Sequence, residues 1–523
     1  MPGGAPSIIG PFAGGLHNAS GRGEAITDNE LFDMTNFEID PDDSSIVNRP
    51  GIDIVVNGVP AASIIIGTFY PPAADAHVIT TNHTTIRIVN VRTGSVVFSQ
   101  ACSGHAGVQF YGAAQDRFYV APVAGRTDGG YFTYTGSTFT WTAVPAIPAG
   151  DAMVIFQYRV FVAAGDQELT KTDGLMYWSA RQDGTKWDVP SDGGSAAISP
   201  GDGQKLKSIV VLNNDILLFK EHSTYRFSYT GNPLNASISK LSNVIGAPNY
   251  NAVAVYDNNS VFVIHGSSVW QLYGYNYVKI SIPLKLQTNL GPNNVNTVLF
   301  KCLSICFSRL FFRYWNTMYV YNIDTKVWCI WKTTRDFDKV VYCPAASNTA
   351  NLDTGFMCPA GNTATGNLQI YNDRYSHIVV GGGETFTCTM QTKIFDFDEP
   401  WAYKVLFWWG LHVAAAGTIT AQAQIPNAIR VVKWGDVATR TWGEGAAYKW
   451  GSSTKIVTPV SKGASSGEFG RRFIKNQGKM RFRQIYWTIS YTTQYNAESD
   501  AIVRIYSIVP VLKAKETVSR GTT

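Results

Sequence analysis

The chain has 523 residues, of which 45% are apolar and only 15% charged, against about 25% charged in an average soluble domain. That much apolar material excludes a disordered polymer, while 13% aromatics and 48 glycines point to a turn-rich β protein and away from a helical bundle. The net charge of +5 hides two opposite ends: residues 1–60 hold nine acids and two bases, residues 401–523 seventeen bases and six acids.

Residues 1–55 read as an extended arm. Gly, Pro, Asn and Asp dominate, with isolated apolar anchors at Phe12, Leu16, Ile26, Leu31, Phe32 and Phe37. Within it, 28–34 (DNELFDM) fits one helical turn with Asp28 as its N-cap. The arm is expected to lie over another surface and to have no core of its own. The start lacks a basic segment followed by an apolar one, so the chain reads as made in a cytoplasm.

Residues 56–385 read as strand after strand. In 208–231 two apolar runs flank Asn213-Asn214 and a third follows Glu221-His222-Ser223; 251–275 repeats the form around Asn258-Asn259 and Gly266-Ser267. The two units start about 43 residues apart, the spacing of propeller blades. Residues 307–331 make a third, and 107–143 and 152–190 are blade-like. The expectation is an all-β fold: an irregular β-propeller of roughly five to seven blades. Residues 386–523 carry longer strands, at 386–397, 403–425, 480–493 and 501–515, and read as a β-sandwich or barrel. Between them 426–478 is Gly-, Ser- and Trp-rich, a long tip insertion.

Four features carry candidate chemistry. Trp434, Trp442 and Trp450, each followed by Gly, recur every eight residues. They read either as an aromatic ladder gripping a protein or glycan partner or as a hairpin whose rings cap one another. Arg471, Arg472, Lys475, Lys479, Arg481 and Arg483 place six bases in thirteen residues. They suit phosphate contacts, or else form a solvated face or a subunit contact with the acidic arm, and charge complementarity favours the subunit contact. Ser179–Trp187 (SARQDGTKW) resembles the Asp-box turn of sialidase-type propellers, a structural element. His222, His265 and His412 sit in a turn, at a strand end and in an apolar strand, and read as packed or exposed histidines rather than bases. Gly381-Gly382-Gly383 has no helix after it to cradle a phosphate. The seven cysteines, Cys102, Cys302, Cys306, Cys329, Cys343, Cys358 and Cys388, are irregularly spaced and read as mostly buried free thiols. No catalytic, cofactor-binding or metal-binding residue is assigned.

The arm carries a family resemblance. Phe12-Ala13-Gly14-Gly15-Leu16, Ile26-Thr27-Asp28-Asn29-Glu30, Asp33, Asn36-Phe37 and Asn48-Arg49-Pro50-Gly51 resemble the opening of tail nozzle proteins of short-tailed bacteriophages, also called tail hub or tail tubular protein B-like proteins. Segments 184–194, 219–233 and 391–410 are similar to the same family; the Trp-Gly repeat falls outside its pattern. The resemblance implies a non-enzymatic virion protein, made in the host cytoplasm and placed in the phage tail. It implies a homo-oligomer, a hexameric ring, docked below the portal-adaptor. Its channel would retain the packaged double-stranded DNA and pass it to the host at infection. Tail fibres, spikes or a needle, and transiently the host envelope, would be its other partners, with no stable membrane insertion. Phe12, Leu16, Asp28, Glu30, Phe37 and Arg49 would then be arm residues docking on a neighbouring subunit or the adaptor. The rival expectation is a β-propeller glycan-binding or sialidase-like receptor-degrading tail protein.

Overall fold

The computed structural model describes residues 8–19, 26–50, 53–59, 63–71, 75–90, 93, 95–110, 116–164, 174–257, 259–284, 301–314, 317–332, 337–343, 354–359, 366–372, 386–397, 404–415, 419–424, 455–457, 472–482, 484–492 and 503–514. Seven blades of four antiparallel strands make a β-propeller. Blades 1 to 6 run through 64–101, 104–143, 152–197, 206–242, 253–279 and 301–331. Blade 7 takes three strands from 337–372, and its fourth is Asp53–Val59, from the N-terminal end of the propeller. The first strand of each blade lies beside the first strand of the next. Phe337–Cys343 returns to Ile64–Phe69 and closes the ring.

The burial pattern explains why these segments read as unbroken apolar runs. Second strands such as Arg159–Ala164 and Asp215–Lys220 are buried at every position, because blades pack on both faces. Outer strands alternate or open to solvent, as in Val96–Ala101 and Thr138–Ala143. The hairpins turn where Asn and Gly predict, with Asn213 (φ 53°) and Gly266 (φ 61°) in the left-handed region.

Two further sheets form the C-terminal domain, and both contain the arm. One continues from the outer strand of blade 6, Val327–Trp331, through Glu30–Thr35, Thr387–Thr392, Tyr486–Thr492, Ile419–Gln424 and Lys455–Val457. The other runs Phe37–Ile39, Ile46–Asn48, Val503–Ala514, Lys404–Ala415, Arg472–Phe482. A single apolar cluster joins them to the propeller; it includes Leu31, Phe37, Leu217, Phe262, Phe312, Trp328 and Trp487. No helix among the described residues is long and apolar enough to cross a membrane.

The arm therefore departs from expectation in three ways. Phe12, Leu16, Leu31 and Phe37 are buried in this chain's own core, so they are not free to dock elsewhere. Residues 28–34 make a turn and then the strand Glu30–Thr35. The helical reading fails because that strand pairs antiparallel with Thr387–Thr392 and parallel with Gly15–Leu16, and sheet pairing outweighs a local cap. The boundary expected after residue 55 falls inside Asp53–Val59.

Candidate functional site

Two of the residues that carry the family resemblance, Asn36 and Arg49, meet at one junction, where the arm, blade 6 and the C-terminal sheets come together. Asn36 adopts φ 58°. Its Nδ2 donates to the Thr387 carbonyl at 2.8 Å, and its Oδ1 accepts from Lys332 N at 2.7 Å and Arg49 Nε at 3.0 Å. Arg49 is fully buried. It donates to the carbonyls of Pro50 (2.8 Å) and Lys332 (3.1 Å), and its guanidinium lies 3.8 Å from the centre of the Phe386 ring. Beside it, Arg309 at the start of the second strand of blade 6 grips Glu38 bidentately. Nε lies 3.1 and 3.0 Å from the two carboxylate oxygens and Nη2 lies 2.8 Å from Oε2.

The arm's other motifs are local locks. Gly14 N donates to the Asn29 carbonyl at 2.9 Å, and Glu30 Oε2 accepts from Thr27 N and faces His17 Nδ1, both at 2.9 Å. Gly15 has φ +65° and its Cα lies so close to Val327 that an added Cβ would stand 2.7 Å from it, so only glycine fits. Asp28 is an ion-pair partner of Lys393. Asp40 pairs with Arg504 at 2.7 Å and Asp43 with the same guanidinium at 3.3 Å. Asp28, Asp40 and Asp43 thus pair with bases within the chain.

Of that cluster, Arg472, Lys475 and Arg481 lie on Arg472–Phe482, an edge strand in register with Val413, Gly410 and Val405. Arg471 and Arg483 lie outside the described residues, as do Trp434, Trp442 and Trp450 and the glycines at 381–383.

The Asp-box segment joins the third and fourth strands of blade 3. Asp183 Oδ1 accepts from Thr185 N at 3.0 Å and Thr185 Oγ1 at 2.6 Å, and Trp187 Nε1 donates to the Gly184 carbonyl at 2.9 Å. Gly184 packs so tightly on Tyr119 of blade 2 that a Cβ would stand 2.5 Å from its ring. Buried Arg159 ties the end of the loop, through Nη1 to the carbonyls of Ser179 (3.0 Å) and Asp192 (2.6 Å). The turn is a structural lock between blades. Trp187→Ala is expected to cost about 3 kcal/mol or more, and Asp183→Ala about 1 kcal/mol, both read by urea denaturation.

Cys102, Cys302, Cys306, Cys329 and Cys388 are buried and form no disulfide. Burial, with Asp128 adding to it, pushes Cys102 up to about 12; burial also takes Cys388 to about 12. Such thiols stay protonated at neutral pH. His265 Nδ1 lies 3.2 Å from the Gly246 carbonyl, and His412 packs on Tyr506 with ring centres 5.5 Å apart.

Several carboxylates are held below their usual range. At Asp202, burial works upward but the Lys220 hydrogen bond, the Gln204 N–H and the Lys220 charge outweigh it. At Asp215, burial is outweighed by hydrogen bonds from Tyr275, Ser228 and Arg226. Asp128, Asp183 and Glu30 shift the same way. A depressed carboxylate stabilises the fold fully above its unfolded pKa, about 4, and the stabilisation disappears as pH falls through the folded value. The melting temperature should therefore hold between pH 7 and 5 and drop below pH 4.

Along the propeller axis lies a cavity of about 630 Å³ whose lining includes Val108, Val154, Val210 and Val255 from the inner strands of blades 2 to 5. At the opposite end of those strands, Tyr250, in the connection between blades 4 and 5, meets His105 of blade 2 with ring centres 4.7 Å apart. Blades 2 and 5 are not neighbours, so this contact crosses the mouth of the axis. Neither it nor the Glu38–Arg309 pair is visible in the sequence: the pair is separated by 271 positions.

Fold and junction together define a seven-bladed β-propeller whose N-terminal arm builds part of a two-sheet C-terminal domain. No protein-family model matches the chain, and no curated protein does. Among solved structures it is similar to streptogramin B lyase, with TM-score 0.39 and 8% identity over 61% of this chain and 97% of that one. It is also similar to the extracellular domain of a hybrid two-component system from B. thetaiotaomicron, with TM-score 0.40 and 12% identity over 62% of this chain and 40% of that one. Likeness at this level bears on no activity.

Proposed function

We propose that the chain is a structural subunit of the tail nozzle of a short-tailed bacteriophage. It forms a ring below the portal-adaptor, and the ring encloses the DNA path, retains the packaged genome and passes it to the host. The observation that supports this most is the structural role of the family-like residues. Asn36 and Arg49 brace the junction, Gly15 packs on Val327 of blade 6, and Gly14 and Glu30 lock the arm that leads into it. A pattern that resembles a family and also has a coherent structural role is better support than the pattern alone.

The DNA path in this reading runs between subunits and not along the propeller axis. The axis carries an apolar lining, and Tyr250 and His105 meet across its mouth. Contacts between subunits use surfaces other than the buried arm anchors. Exposed apolar residues on outer strands, Val96, Val97, Ile238 and Val278, are available.

The test is placement in the particle. An antibody raised against the chain should label the tail in purified virions of the phage that encodes it. Absence of the chain from those virions overturns the proposal.

A further inference from the structure

We propose that His83 and His105 form a two-histidine site for a divalent transition-metal ion of the zinc class at the mouth of the propeller. This stands apart from the nozzle reading. The Nδ1 atoms of the two rings face each other at 3.4 Å. The ring centres are farther apart, at 5.0 Å, so the rings converge at these nitrogens. Two imidazole nitrogens bound at about 2.0–2.1 Å to one tetrahedral ion stand roughly 3.4 Å apart. Imidazole suits Zn, Cu, Ni and Co.

Both ligands are held in place by the fold. His83 sits at the tip of the hairpin joining the second and third strands of blade 1, at φ 63°. Its N–H donates to Thr81 Oγ1 at 3.0 Å, and Asn82 Oδ1 accepts from Thr85 N at 2.9 Å, which fixes the turn. His105 lies on the inner strand Gly104–Phe110, with the Tyr250 ring against it. Its far nitrogen, Nε2, lies 3.6 Å from Asp151 Oδ1. At that separation the carboxylate acts on the ring through its charge and not through a hydrogen bond. No three His, Cys, Asp or Glu side chains gather as a metal cage among the described residues. The ion would therefore take two protein nitrogens and complete its coordination with water, leaving positions open.

The 523-residue chain, stripped by a chelator, is titrated with Co²⁺ followed by visible absorption and with Zn²⁺ followed by calorimetry. The expected result is one saturable site. His83→Ala, at an exposed turn, and His105→Ala should each weaken it at least about tenfold. His222→Ala alters the other imidazole pair, His222 and His265, whose ring centres are 5.7 Å apart, and should leave affinity unchanged. Circular dichroism checks that each variant is folded. No saturable binding by the wild type, or wild-type affinity in folded His83→Ala, overturns the site.

Discussion

Arg309→Met destabilises the protein by about 3–5 kcal/mol in urea denaturation. The reason is the partner it abandons. Glu38 and Arg309 have side chains only 4% and 6% exposed, and three nitrogen–oxygen contacts of 2.8–3.1 Å join them. Removing the guanidinium leaves a carboxylate in a site that water does not reach. Its desolvation is then no longer offset by the paired guanidinium. The paired change Glu38→Met with Arg309→Met should recover most of the loss, because it removes the stranded charge and keeps the volume. A double variant as unstable as the single one would show that the cost comes from packing around Arg309 and not from charge burial.

Deleting residues 1–40 abolishes folding, and any effect on assembly follows from that. The deletion removes Phe12, Leu16, Leu31, Met34, Phe37 and Ile39, all buried. At about 2 kcal/mol for each buried side chain the loss exceeds about 10 kcal/mol, within the range of a domain's whole stability. It also removes Glu30–Thr35 from between Val327–Trp331 and Thr387–Thr392, which separates the propeller from the first C-terminal sheet. The expected product is insoluble, or lacks near-ultraviolet circular dichroism. A soluble deletion that melts cooperatively at the wild-type temperature contradicts the arm's place in the core.

The propeller was readable because its units are local. The meanders at 208–231 and 251–275 become blades 4 and 5, and the Asn and Gly turns fall where their backbone freedom is needed. The Asp-box turn was also readable, since Asp183, Gly184 and Trp187 interact within a few residues. The arm was not. Its strands are decided by partners far along the chain: Asn36 bonds to Thr387, 351 positions away. Asp28 and the residues after it satisfy a helix-start pattern, and only the waiting edge of Thr387–Thr392 makes a strand the better solution. Blade 7 was hidden for a related reason, because its fourth strand comes from Asp53–Val59. The same holds for the histidine pair, which meets only when blades 1 and 2 pack. Charge arithmetic located the acidic arm but not its partners, Arg309, Lys393 and Arg504.

Negative-stain electron microscopy of the purified 523-residue chain tests the proposed ring around DNA. The expected result is closed, sixfold rings with an opening of about 20 Å or more, wide enough for duplex DNA. A uniform field of single propellers, unchanged as protein concentration rises, would contradict it.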